Sequence, residues 1–244
     1  MAIFNLKKTI NNQQNFKTIS RYMPNDHTKT VSAEWGLSQK LEQQKQDLCI
    51  LDLGCGDGSL LNKLSSQFSQ IDWHGVDIED SQEVRSRQHS LQNIKTFDGI
   101  NLPYENDTFD VVYSNQVLEH VRHPDELIQN VFQCMKPGGL FIGSVSQLEP
   151  YHSRSIFNFT PYAITQVFED AGFNILEIRP GSDAWSLISR QMLNRRLKFI
   201  WNNNLLYGFI SAISKFSDLD NCHVNFLKIQ FAGHLSFLAT KELL

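Results

Sequence analysis

Asp52 closes the apolar run Leu48 to Leu53 and is followed by glycines at alternate positions, Gly54, Gly56 and Gly58, with Cys55 and Asp57 between them. Glycines at that spacing let the backbone turn tightly and let a ligand approach main-chain atoms that a Cβ would shield. A second acid, Asp77, ends the next apolar run 25 positions on, where a carboxylate can accept from both hydroxyls of a ribose. A third, Asp98, precedes Gly99 after the segment Lys95 to Phe97. Further along, Ser114-Asn115-Gln-Val-Leu-Glu119-His120 brings an imidazole just past another strand end. Such a group can take a proton from a hydroxyl or ammonium near neutral pH. His120 read blandly is a helix-start histidine bonded to backbone, and Glu119 reads equally as a solvent-facing acid. Glu119, His120, His123, Asp125 and Glu126 crowd together as metal ligands would. Pro124 and the lack of an H-E-x-x-H pair speak against two histidines facing one ion, so no metal is assigned.

Those residues need elements to hold them. Leu48 to Leu53 reads as a strand, the glycines as a turn, and Ser59 to Phe68 as a helix with Leu60, Leu61, Leu64 and Phe68 on one face. Ile71 to Ile78, Phe109 to Ser114 and Leu140 to Val145 read as further strands, with a helix from Asp125 to Met135 between the last two. Lys136-Pro-Gly-Gly139 predicts a helix stop and chain reversal. Thr160-Pro161 opens another helix as N-cap and first helical residue, ahead of strands at Phe173 to Ile178 and His234 to Thr240. Strands alternating with helices imply parallel pairing through right-handed crossovers. Residues 1–46 form an amide-rich leader with a helical stretch from Ser32 to Gln46, a candidate lid. Residues 47–180 and 231–244 form the core, and 181–230 an apolar helical insert before the last strand.

Taken in order, LDLGCGDG (51–58), GVDIED (75–80), FDGINLPYENDTFDVVYSNQVLEHV (97–121), MKPGGLFIGSV (135–145) and TPYAITQVFEDAGF (160–173) resemble the class I, seven-stranded S-adenosylmethionine-dependent methyltransferases. The resemblance spans roughly residues 48 to 178 and lies in the small-molecule branch that includes the ubiquinone-biosynthesis type. It implies a doubly wound, mostly parallel seven-stranded α/β sheet whose last strand is antiparallel. It also implies a cofactor, S-adenosylmethionine, leaving as S-adenosylhomocysteine. Asp52, Gly54, Cys55, Gly56 and Gly58 would cradle the methionine end, and Asp77 with Ile78 would hold the ribose. Asp98 with Gly99 would meet the adenine, and Asn115 would lie beneath the sulfonium. In that fold His120 becomes the candidate base. His152 and Arg154 would face the acceptor, unless they belong to a solvated loop. Tyr22 is the leader residue expected to close over the site, and Trp35 is expected to pack the first helix on the sheet. Glu149-Pro-Tyr-His152, Phe157 to Pro161 and Glu177 to Gly181 are more loosely similar to methyltransferases of saccharide or secondary-metabolite pathways.

The 244 residues carry 22 Lys and Arg against 26 Asp and Glu, 41% apolar residues and four scattered cysteines. That composition fits a folded chain in a reducing, cytoplasmic setting. No secretory signal or membrane-length apolar run is visible. Nothing suggests a nucleic-acid partner, although one local basic patch is compatible with the sequence. A nicotinamide oxidoreductase is the competing enzyme reading, but the spacing is G-x-G-x-G, with Ser59 where a third glycine would fall, and no Tyr-x-x-x-Lys pair occurs. A DNA amino-methyltransferase motif is absent, since Asn115 is followed by Gln-Val-Leu. A non-catalytic scaffold of the same fold is the third reading. The insert offers Trp185, Leu187, Ile188, Phe199, Trp201, Leu205, Leu206, Tyr207, Phe209 and Ile210 beside Arg190, Arg195, Arg196 and Lys198. It could be a second core, an acceptor pocket, a homodimer interface or a surface touching a membrane through its arginines.

Overall fold

The computed structural model describes residues 6–43, 47–65, 67–68, 71–86, 93–201 and 203–242. The ends of the leader (1–5 and 44–46), residue 66 of the predicted 59–68 helix, the Trp201 side chain of the insert and residues 243–244 lie outside that description. The leader forms α1 (Leu6–Asn11), α2 (Gln14–Ile19), a 3-10 turn at Ser20–Tyr22 and α3 (Ala33–Gln43). Then come β1 (Leu48–Leu53), α4 (Ser59–Ser65), β2 (Ile71–Ile78), α5 (Gln82–Arg85), β3 (Ile94–Phe97) and β4 (Phe109–Asn115). A 3-10 turn at Leu118–His120 leads to α6 (Pro124–Cys134), β5 (Met135–Ser146), α7 (Pro161–Asp170) and β6 (Asn174–Pro180). Four helices, α8 (Ala184–Met192), α9 (Lys198–Trp201), α10 (Leu205–Ser214) and α11 (Asn221–Ile229), precede β7 (His234–Thr240).

The strands make one seven-stranded sheet in the order β3-β2-β1-β4-β5-β7-β6. β7 is antiparallel to both neighbours and every other pairing is parallel, which is the doubly wound architecture expected. The order reverses between β1 and β4, and a crevice opens outside the carboxyl ends of strands at such a point. Asp52 and Asn115 sit at those two ends. Alternation along the strands divides the core. Leu51, Leu53, Val112, Phe141 and Val145 face α6, α7, α11 and the first helices. Ile50, Val111, Tyr113 and Ile142 face α3 and α4, and Asp52 shares their parity.

Local chemistry sets the ends of these elements. Thr160 caps α7 by accepting from the Ala163 N–H at 3.1 Å, with Pro161 following it. The Pro-Gly-Gly segment does not reverse the chain as predicted. α6 stops at Cys134 and β5 starts at Met135, so residues 136–139 run within the strand. Gly138 takes φ +80° and the β4 pairing shifts register there, a bulge in place of a turn.

The leader is fastened rather than loose. Asn225 on α11 donates to the carbonyls of Pro24 and His27, and Lys228 to that of Thr28. Asn221 holds those of Asn25 and Asp26. Arg179, buried on β6, forks onto Asp26 at 3.0 and 2.8 Å and also reaches Glu177. α11, placed by sequence in the insert, therefore packs as core: Val224, Phe226 and Ile229 are buried in the main cluster. Trp35 is corrected too, since it remains 44% exposed and meets His27 edge-on instead of filling the sheet interface.

Arg179→Ala should lower the unfolding free energy by about 2–3 kcal/mol, because it strips the buried half of this fork. Arg179 holds the Asp26 carboxyl down at about 2, chiefly through its hydrogen bonds. The wild-type pair therefore contributes above pH ~4 and is lost as pH falls toward 2. Urea titrations across that range should show the acid-side loss flattened in the variant.

Candidate active site

Backbone conformation builds the first half of the site. Gly54, Gly56 and Gly58 all have positive φ (+72°, +53° and +76°). A Cβ on Gly54 would come within 2.9 Å of Val117 Cγ1, so the glycine loop lies in van der Waals contact with the turn that carries His120. Asp77 Oδ2 accepts the Gly56 N–H at 2.6 Å and Oδ1 accepts its neighbour Ile78 N–H at 2.7 Å. A carboxylate has the acceptor chemistry that a pair of ribose hydroxyls would need. The Gly54 and Cys55 N–H groups both bond the Val76 carbonyl, which ties the loop to the β2 end.

Between these parts is a cavity of about 290 Å³ lined by Glu34, Asp52, Gly54, Cys55, Ser59, Leu60, Lys63, Tyr113 and Asn115. It collects three of the predicted cradle residues together with Asn115, and adds Glu34 and Lys63, an ion pair between α3 and α4 that the sequence reading missed. An acid, a cation and the buried carboxyl of Asp52 suit the zwitterionic end of an amino-acid-bearing cofactor. Burial pushes Asp52 up to about 7, with the Asp77 and Asp57 charges adding to it. The cavity and the open glycine loop thus fit the cofactor expected from the resemblance.

Along the crevice, Gly99 (φ +91°) places its missing Cβ 4.0 Å from Ile78 Cγ2, so Ile78 and Gly99 are neighbours across the β2 and β3 ends. Asp98 is exposed and caps its own turn, accepting from Asn101 Nδ2 and the N–H groups of Ile100 and Asn101. The Asn101 bonds hold its carboxyl below the usual range. Ionised oxygens accept hydrogen bonds, the chemistry that an amino group requires.

The second half of the site gathers over the β4 and β5 ends. Gln116 adopts φ +58°, a strained setting for a side-chain-bearing residue, and sends the chain into the Leu118–His120 turn. Asn115 Oδ1 accepts from Ser144 Oγ at 2.6 Å. His120 and His152 meet edge to face with ring centres 5.4 Å apart. Glu119 does not point to solvent: it is fully buried, with Oε1 2.9 Å from Ser146 Oγ and Oε2 without a partner. Glu149 Oε2 lies 2.7 Å from that same hydroxyl and 2.8 Å from His234 Nε2. With its amide nitrogen turned inward, Gln116 donates to Ser146 Oγ at 2.8 Å and to Glu119 Oε1 at 2.9 Å.

One hydroxyl proton cannot serve two carboxylates, so the cluster needs a proton elsewhere. Burial raises the Glu119 carboxyl. Burial also pushes Glu149 upward, but the His234 hydrogen bond and charge outweigh it and leave Glu149 below the normal range. Of the two, Glu119 is thus the carboxyl pushed toward the neutral form and Glu149 the one held toward the ionised form. Donor atoms of Glu119, His120 and His152 lie within 4.8 Å of one another and could hold a divalent cation. His123 and Glu126 pair with each other at the exposed start of α6 instead.

Two predicted contacts lie elsewhere. Tyr22 is buried and its hydroxyl bonds Glu169 near the end of α7. That is about 13 Å along a helix whose first turn is the one near the strand ends; Tyr22 anchors the leader and does not cover the site. Arg154 does not join His120. It is close enough to Asp80, past the β2 end, to help lower that carboxyl after the larger effect of Arg85, so its loop reaches across the crevice. A cavity of about 420 Å³ between α2, the start of α7 and α11 contains none of the glycine-loop or His120 residues.

Comparison with known proteins agrees with this geometry. A model of the methyltransferase domain family matches residues 33–178. The chain is 31% identical over 100 residues to 24-methylenesterol C-methyltransferase 3 of Arabidopsis thaliana, covering 38% of this chain and 28% of that protein. It is 30% identical over 133 residues to a ubiquinone biosynthesis O-methyltransferase of Coxiella burnetii, covering 52% of each. The chain thus spans about half the length, or less, of these curated relatives. A Haemonchus contortus phosphoethanolamine N-methyltransferase 2, solved with phosphomonomethylethanolamine and S-adenosylhomocysteine, superposes with TM-score 0.57 at 17% identity, over 98% of this chain and 59% of that one. At that identity the likeness is one of fold.

Asp52 supplies a pH signature. Its folded carboxyl titrates at about 7 and an unfolded one near 4, so between those values the folded protein holds a proton that the unfolded chain lacks. Thermal stability of the free protein should therefore fall as pH rises from 4 to 7, and Asp52→Asn should flatten the decline. Because a ligand ammonium favours ionised Asp52, S-adenosylhomocysteine should bind more tightly at pH 7.5 than at pH ~5, with proton release seen by calorimetry in buffers of different ionisation enthalpy. A flat profile in both assays would remove Asp52 from the cradle.

Proposed function

The chain belongs to the methyltransferase domain family, and from that membership we propose that it transfers the methyl group of S-adenosylmethionine to an oxygen, or a nitrogen, of a small-molecule acceptor. The observation that carries this reading is the contact between Gly54 and Val117, which seats the cofactor loop directly against the turn bearing His120. Bound in the cradle, S-adenosylmethionine supplies an electrophilic methyl group, which passes in line to the acceptor as the sulfur keeps the bonding electron pair.

This chain's residues do the rest. Glu34, Lys63 and Asp52 bind the amino-acid end, Asp77 with Ile78 orients the ribose, and Asp98 with Gly99 meets the adenine. Asn115, fixed by Ser144, lines the floor. His120 accepts the acceptor's proton on a ring nitrogen as the new bond forms. His152 packs edge-on against that ring with the Glu149 carboxylate 3.8 Å behind it, a negative charge that favours the imidazolium as it forms. Buried Glu119, held by Ser146 and Gln116, fixes the turn beneath His120. Arg154 and His152 sit on the loop facing the crevice and contact the acceptor. Similarity to the ubiquinone biosynthesis O-methyltransferase over 133 residues supports oxygen as the atom methylated. The looser likeness around Glu149 to Pro161 supports an acceptor of the saccharide or secondary-metabolite kind.

Calorimetric titration with S-adenosylhomocysteine beside NAD and NADP tests the cofactor. Selective binding of the thioether is expected, and at ~100 times its dissociation constant the fold should gain ~2.7 kcal/mol. Binding of NAD instead would overturn the reading. Asp77→Ala should weaken that affinity severalfold or more; equal affinity would end the ribose assignment. With an acceptor found by screening hydroxylated small molecules for S-adenosylhomocysteine release, His120→Ala should lower turnover by about 10²-fold while cofactor binding is kept.

A further inference from the structure

We propose that the helical segment 184–217 is a docking surface for an anionic lipid bilayer, an inference that does not depend on the reaction catalysed. α8 buries Ala184 and Leu187 together with two serines and leaves a second apolar stripe outside. Trp185, Ile188 and Met192, spaced as one helical stripe, face solvent, whereas Ser186 and Ser189 are buried. α10 packs against α8 and repeats the pattern. Leu205, Phe209, Ile213 and Phe216 follow one another at four, four and three residues and are exposed, with Phe209 at 68% and Phe216 at 93%. Tyr207 and Ile210 provide its buried side. Leu197 and Phe199, in and before α9, add two more exposed apolar groups. Among the described residues, nine of the eighteen large apolar side chains left exposed fall in this short stretch. Scattered exposed apolars are ordinary, but two packed helices that each leave an apolar stripe in water are not.

Charge selects the occupant. In a chain with more acids than bases, residues 184–217 hold Arg190, Arg195, Arg196, Lys198 and Lys215 and no Asp or Glu. Several of the cations are chain neighbours of the apolar groups: Arg196 and Lys198 flank Leu197, and Lys215 precedes Phe216. Apolar side chains interleaved with Lys and Arg suit the boundary between acyl chains and anionic headgroups, where each kind of group finds its own environment. A second copy of this chain suits it poorly, since a two-fold contact would set five cations against five. No helix of the described residues is long and apolar enough to cross a membrane, so the surface would lie on the bilayer.

Sedimentation of the full chain with phosphatidylglycerol vesicles and, separately, with phosphatidylcholine vesicles tests this. Binding to the anionic vesicles is expected, at least about tenfold weaker on the neutral ones and falling with salt. Phe209→Ser with Phe216→Ser should reduce it by about tenfold, at an unchanged melting temperature because both rings are exposed. Arg195→Glu with Lys198→Glu should do the same and decides the matter if the serine variant fails to fold. Absence of binding to either vesicle, or variants that bind as the wild type does, would overturn the proposal. So would a dimer by light scattering that these substitutions dissociate, or a patch that captures only acidic proteins.

Discussion

The site depends on the absence of a side chain at residue 54. Because a Cβ there would strike Val117, the β1 turn and the β4 turn can touch only if position 54 is glycine, and its φ of +72° independently favours that residue. The contact fixes the separation between the part of the crevice that holds the amino-acid end of a ligand and the part that carries His120. Both turns hang from adjacent central strands at the point where the strand order reverses, so their relative position is set by the sheet ladder and not by loop preference. Asp77 tightens the same loop from the β2 side through the Gly56 N–H. The carboxylate proposed to meet ribose thus also shapes the glycine turn.

Around that contact the protein keeps carboxyl groups in opposed states by burial and hydrogen bonding. Asp52 and Glu119 are buried with no cation bonded to them and are pushed toward the neutral form. Glu149 meets His234 and is held ionised. The difference follows from which strand supplies a partner: β7, antiparallel between β5 and β6, brings His234 alongside Ser146 of β5, whereas the charges that act on Asp52 are the acids Asp77 and Asp57. A neutral acid in the cradle is a group that an incoming ammonium can ionise, whereas an ionised acid behind His152 favours the imidazolium as it forms.

Much of this is legible in the sequence because it is local. Strand ends with acids, alternating glycines, and a Thr-Pro helix start are read from neighbours within a few residues, and β2, β7 and the α7 cap fall where the pattern places them. What is hidden depends on residues that meet only after folding. Nothing near Glu119 announces that Ser146, Glu149 and His234 will converge on it from β5 and β7. The leader looks like a lid because it is polar and amide-rich, yet its carbonyls are the acceptors that Asn221, Asn225 and Lys228 require once buried. Tyr22 follows the leader to Glu169 for the same reason. Pro137-Gly-Gly139 carries the signal of a turn and is overridden because the β4–β5 ladder continues past it, absorbing the glycines as a bulge.

The insert shows the same logic from the other side. Sequence alone leaves its apolar residues open to four readings, because hydrophobicity does not say which face of a helix meets the core. Burial resolves them unequally. α11 commits its apolar face to the main cluster and uses its polar residues to hold the leader, so it is core. α8 and α10 each bury one face and leave an apolar stripe outside, and residues 184–217 carry five cations and no acid, with Asp183 and Asp218 just beyond them. A chain selected only for its own folding would gain by exchanging that stripe for polar residues. Trp185, Ile188, Phe209 and Phe216 left in water are hard to reconcile with folding alone. They are consistent with a surface whose environment, when the protein acts, is not water.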